Sequence, residues 1–152
     1  MKYKKVIFVC MDNTCRSILA EAIMNGVNKD DLITVESRGL VVLFSEPINQ
    51  RVVPLLKNSN LVPARETSKE LCDEDLEEGT LVLTMTEKEK RIAKEKFDYN
   101  EIYSIAEFTS QEGDIEEPRG GALADYGACY EYIDFIVKMA AEKLFKQICL
   151  GE

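Results

Sequence analysis

Histidine is absent from all 152 residues, and that absence removes more chemistry than any other feature of the chain. Zinc sites built on imidazole, and every Ser-His-Asp or Cys-His mechanism, are excluded; any acid or base at work must be a carboxylate. Tryptophan is also missing, and there are only 4 prolines and 8 glycines. No Pro/Gly/Ser-rich linker, repeat or low-complexity tract divides the chain, so one domain over residues 1–152 is expected. Long apolar runs are lacking. Val6 to Val9, behind Lys2, Lys4 and Lys5, is too short for the apolar centre of a signal peptide and reads as a first strand. Basic charge is in deficit, with 19 Lys and Arg against 28 Asp and Glu, a net charge of −9. Such a surface repels nucleic acid and anionic membranes, so neither is an expected partner and any anion site must be local. The 5 cysteines, at positions 10, 15, 72, 129 and 149, are odd in number and lack disulfide-framework spacing, which points to a reducing, cytoplasmic setting.

What is present alternates between two periods. Short aliphatic runs at Val6–Val9, Leu32–Glu36, Leu81–Thr84 and Ile102–Ile105 read as strands. Between them, Ser17–Asn28, Glu46–Lys57 and Thr86–Lys96 carry helical spacing, with Pro47 suited to a first turn and Ile92 and Ala93 on a buried side. A last helix repeats Tyr126, Tyr130, Ile133, Val137, Ala140, Leu144 and Ile148 at steps of three and four. Strand alternating with helix predicts an α/β fold with a parallel sheet covered on both faces, whose ligands bind at the carboxyl ends of strands.

Cys10 stands at such an end. From there Met11, Asp12, Asn13, Thr14 and Cys15 lead to Arg16 and Ser17, and a helix begins directly behind. A loop of this length can turn its N–H groups inward to cradle a tetrahedral oxyanion, with the helix N-terminus adding positive potential. The same environment lowers the pKa of a thiol, and Ser17 is placed to help. Arg16 has the planar fork that grips two phosphoryl oxygens at once. The pattern reads as a nucleophile inside a phosphate site, binding inorganic phosphate or a related oxyanion through residues 11–17.

These residues resemble the loop of the low-molecular-weight protein tyrosine phosphatases, C-x-G-N-x-C-R-S-P. The resemblance continues through Glu36-Ser37-Arg38-Gly39, Glu46-Pro47, Leu81–Thr86 and Asp114–Gly121. It implies a three-layer sandwich around a four-stranded parallel sheet, a phosphorylated protein as substrate, no metal and no cofactor. It also implies that Cys10 attacks phosphorus, that Asn13 braces the loop at positive φ, and that Glu117 serves as general acid, where the family has the aspartate of a D-P pair. Cys15 resembles the second cysteine with which members form a reversible disulfide; a small buried packing residue is the alternative.

Three positions depart from the pattern. Asp12 replaces the loop glycine and is expected to point to solvent, Ile18 replaces the proline, and Glu117 is one methylene longer than aspartate. Substrate walls are sought at Phe44, alternatively a core residue, and at Arg119, where an aromatic is usual. Phosphotyrosine ranks first by family frequency. Phosphoarginine is the close alternative, because Thr14 and Gly120-Gly121 resemble the protein arginine phosphatase branch. Two readings from other classes stay open: a phosphate-binding protein with little catalysis, and an arsenate reductase, for which Cys72, Cys129 and Cys149 lack the relay spacing.

Overall fold

The computed structural model describes residues 3–118 and 121–149. Strand β1 (Lys5–Cys10) lies inside the sheet, between β2 (Thr34–Gly39) and β3 (Thr80–Thr84); β4 (Ile102–Ser104) pairs with β3 on the outside. All pairs are parallel, giving the order β2-β1-β3-β4. This is the four-stranded sheet that the resemblance implied.

Alternation along β1 separates two cores. Val6, Phe8 and Cys10 face α1 (Arg16–Val27) and the long α5 (Leu123–Cys149), together with α2 (Val52–Asn58) and α4 (Ile105–Phe108). Ile7 and Val9 turn the other way, toward Ala93 of α3 (Glu87–Lys96), with Leu40, Leu71, Val82 and Ile102. Helices therefore cover both faces, and because every strand runs the same way, all carboxyl ends meet at one edge. In α5, Tyr126, Ile133, Val137, Ala140 and Leu144 are buried as the periodicity requires, while Tyr130 is half-buried. The Ile148 side chain, Arg119 and Gly120 lie outside the described residues.

Some boundaries differ from the sequence pattern. The expected helix from Glu46 starts only at Val52, and Pro47 instead forms an antiparallel bridge with Thr67. The cause is pairing with a distant segment: the Ile48 amide donates to the Glu66 carbonyl at 3.1 Å and the Ser68 amide to the Glu46 carbonyl at 2.8 Å. Pro54 falls in the first turn of α2, where a missing N–H costs nothing. Strand β2 begins at Thr34 and runs on to Gly39 rather than ending at Glu36, because its register places Ser37 beside Phe8 and Gly39 beside Cys10. The fourth run ends as strand at Ser104; its hydroxyl accepts the Glu107 amide at 3.1 Å and Ile105 opens α4.

Candidate active site

The loop after β1 is shaped by close backbone approach and by one left-handed residue. A Cβ on Gly39 would lie 2.7 Å from a Val42 methyl and 3.0 Å from the Asp12 carbonyl carbon, so only glycine lets β2 pass beneath the loop. Asn13 takes φ 58°, the left-handed conformation that asparagine tolerates better than most residues. Its buried amide donates to Ser17 Oγ at 2.7 Å and to Ser37 Oγ at 3.1 Å. Ser17 Oγ in turn lies 2.9 Å from Cys10 Sγ. Cys10, Asn13 and Ser17 are thus brought together as their spacing suggested.

Cys10 is fully buried, and this burial pushes its thiol above the ordinary value; the Arg16 guanidinium and the Ser17 hydroxyl oppose the rise, and Glu89 adds to it. The expectation of a lowered thiol pKa is therefore not met. Burial is the main cause, and what holds Arg16 limits the pull that opposes it. Its Nη2 donates to Glu89 Oε2 at 2.8 Å, its Nη1 to Glu89 Oε1 at 3.3 Å and to the Ile115 carbonyl at 2.8 Å, and its Nε to Glu117 Oε2 at 2.9 Å. Two carboxylates offset one guanidinium, so less of its positive potential reaches the sulfur. Burial works against the arginine's charge, yet Cys10, Glu89 and Glu117 outweigh it and hold the pKa above its usual value.

Glu89 is the principal site residue that sequence reasoning missed. Burial pushes its carboxyl upward, and donors from Arg16, Thr86 and the Met11 backbone pull it back. The side chains of Arg16 and Glu89 are only 5% and 4% exposed, respectively. Removing either partner from such a buried pair costs roughly 3–5 kcal/mol, because the other charge is left uncompensated. One signal was available: Thr86-Glu87-Lys88-Glu89 is a capping box, with Thr86 Oγ1 accepting the Glu89 amide and Glu89 Oε1 accepting the Thr86 amide, each at 3.0 Å. That Glu89 also reaches Arg16 follows only from the fold.

Asp12 does not simply point to solvent. Its Oδ1 accepts the Thr14 amide at 3.2 Å and the Thr14 hydroxyl at 3.0 Å, so the carboxylate turns back along the loop. Its backbone needs no left-handed conformation; that demand falls on Asn13. Cys15 is completely buried, and burial pushes its thiol well above the ordinary value. Cys129 of α5 is electrostatically coupled to Cys10, Arg16 and Glu117, a proximity that spacing within the last helix could not reveal. Phe44 is 70% exposed, which removes the core alternative and leaves its ring free in the segment after β2. Arg65, also unforeseen, donates from Nη2 to Asn13 Oδ1 at 2.9 Å and to the Ser37 carbonyl at 2.7 Å.

Comparison with known proteins decides the lineage. The sequence profile described as low molecular weight phosphotyrosine protein phosphatase matches residues 5–149. The chain belongs to this family. The low molecular weight protein-tyrosine-phosphatase PtpB of Staphylococcus haemolyticus is 31% identical over 134 residues, covering 88% of this chain and 94% of that one. The protein-arginine-phosphatase of Bacillus subtilis is 29% identical over 147 residues, covering 93% and 97%. Among solved structures, the YwlE arginine phosphatase of Geobacillus stearothermophilus superposes with a TM-score of 0.87 at 27% identity, covering 97% of each chain. The chain is thus a phosphatase of the low-molecular-weight family, and its fold is the family's. No described helix is long and apolar enough to cross a membrane.

Proposed function

We propose that this phosphatase hydrolyses phosphorylated protein side chains in two steps through a phosphocysteine on Cys10. The observation that carries the reading is the 2.9 Å contact between Cys10 Sγ and Ser17 Oγ, at the head of a loop that ends on Arg16. On binding, phosphoryl oxygens take the Arg16 Nε position held by Glu117. The freed guanidinium then stabilises both the thiolate and the charge spread over the equatorial oxygens. Displaced from Arg16, the Glu117 carboxylate takes up the proton that the Cys10 thiol releases; the thiolate attacks phosphorus, the bond from phosphorus to the leaving atom breaks, and Glu117 passes that proton to the leaving atom. In the second step the Glu117 carboxylate takes a proton from water, the resulting hydroxide attacks phosphorus, and phosphate leaves as the thiolate is restored.

For the substrate, the lip of the cradle favours phosphoarginine. Because the Thr14 hydroxyl spends its proton on Asp12, its two lone pairs and the Asp12 carboxylate together present acceptors. A guanidinium leaving group is cationic and rich in N–H donors, which suits such a lip; a departing phenolate meets a negative charge there instead. Phosphotyrosine is the second reading, supported by the exposed Phe44 ring as a stacking wall. The free thiols of Cys10, Cys15, Cys72 and Cys129 support action in a reducing, cytoplasmic setting, and the net charge of −9 supports a partner other than nucleic acid.

The test compares phosphoarginine and phosphotyrosine in one peptide sequence, with rapid quenching to trap the phosphocysteine. Faster turnover of phosphoarginine is expected, with Asp12→Gly moving the preference toward phosphotyrosine. A trapped intermediate with the opposite preference selects the second reading. Turnover equal to that of Cys10→Ser on both peptides, with phosphate still bound, leaves a phosphate-binding protein instead.

A further inference from the structure

The hydrogen bonds behind the nucleophile have a direction that can be read donor by donor. Asn13 Oδ1 receives Arg65 Nη2 at 2.9 Å and the Lys69 backbone amide at 3.0 Å. Neither group can accept, so the amide oxygen must face them and the amide nitrogen must face Ser17. Ser17 Oγ therefore accepts from Asn13, and its own proton is left for Cys10 Sγ. A sulfur that receives a hydrogen bond is favoured as a thiolate. On the far side, Arg65 Nη2 also lies 3.1 Å from Ser37 Oγ, whose proton goes to the buried carboxylate of Glu21 at 2.6 Å. The half-buried guanidinium is thus a cation at the head of the neutral amide and hydroxyl of Asn13 and Ser17, and it pulls electron density along them toward itself.

We propose that Arg65 is a positioning residue for the nucleophile: without touching Cys10, it sets the orientation of Asn13 and hence the delivery of the Ser17 proton to sulfur. Flipping the Asn13 amide would set its NH2 against Arg65 and the Lys69 amide, donor facing donor. In the absence of Arg65 only one main-chain donor opposes that flip, and Ser17 is freed to donate to Asn13 rather than to Cys10. The idea rests on Cys10 being the nucleophile, but its readout does not depend on turnover.

The experiment is the pH profile of Cys10 alkylation by iodoacetamide, followed by mass spectrometry, in the whole protein. The other groups that face the sulfur are Arg16 of α1, Glu89 of α3, and the thiols of Cys15 and Cys129, with Glu117 acting through Arg16; none is altered. In Arg65→Ala the midpoint is expected to rise by about one pH unit, a tenfold loss of thiolate near neutrality. Arg65→Lys keeps a charge and a donor and should shift by less than half as much, and Arg65→Gln, which keeps volume without charge, by more than Arg65→Lys. Near-ultraviolet circular dichroism checks that each is folded; should Arg65→Ala not fold, the Lys and Gln pair carries the comparison. An unchanged midpoint in folded Arg65→Ala or Arg65→Gln, or equal shifts for all variants, overturns the proposal. If wild type forms no phosphocysteine while the midpoints shift as expected, the catalytic reading fails and the positioning role stands.

Discussion

Under the proposed mechanism Glu117 has two places to fill. Its carboxylate sits on Arg16 Nε at 2.9 Å with the side chain 22% exposed; in the proposed reaction it must reach the leaving atom. The phosphoryl group therefore competes with a carboxylate of the protein for the same donor. Glu117→Gln removes the competing charge as well as the proton donor. It should slow turnover by roughly a hundredfold or more and at the same time lower the inhibition constant for inorganic phosphate, measured by competition. Weaker phosphate binding in that variant would show that Glu117 does not guard Arg16. Glu117→Asp, being shorter, should raise the rate on poor leaving groups more than on good ones; equal changes would remove Glu117 from the proton transfer.

At the scale of elements, α3 links local folding to the chemistry, because Glu89 serves both the helix cap and Arg16. Thr86→Ala takes away one half of the cap, at about 1 kcal/mol, or roughly 2–4 °C in Tm for a domain of this size. It should also lower kcat/KM several-fold as Glu89 loosens. Thermal melts and steady-state kinetics on the same preparation check both, and a Tm loss with unchanged kcat/KM would uncouple cap from clamp. The same element shows what a sequence discloses. The loop from Cys10 to Ser17 is legible because its logic is local: a strand end, a left-handed asparagine and a helix start lie within a few residues. The α3 boundaries are legible from the Thr86–Glu89 box. The start of α2 is not, since residues 46–48 are claimed by backbone pairing with residues 66–68. Nor is Arg65, whose segment carries no periodic pattern and whose role comes only from lying beside Asn13.

For the molecule as a whole, buried thiols give stability a sign with respect to pH. Burial pushes Cys10 and Cys15 up, and Cys129 up to about 11. The folded chain therefore holds these protons where the unfolded chain, with thiols near ~8.5, has begun to lose them. Their contribution is complete below the unfolded value and is lost as pH rises through the folded ones. Melts across that alkaline range should show Tm falling steadily, with a shallower fall in Cys129→Ala; parallel curves for the two proteins would assign the loss to other groups.

The partners of Arg16 lie far along the chain: Glu89 is 73 residues later, Ile115 is 99 and Glu117 is 101. A polypeptide growing from its amino end carries Cys10, the proposed nucleophile, early but obtains the groups that seat Arg16 only once most of the sequence has been made. A nascent or prematurely terminated product would hold Cys10 and Ser17 without the groups that seat Arg16, so the proposed hydrolytic competence arrives late in synthesis.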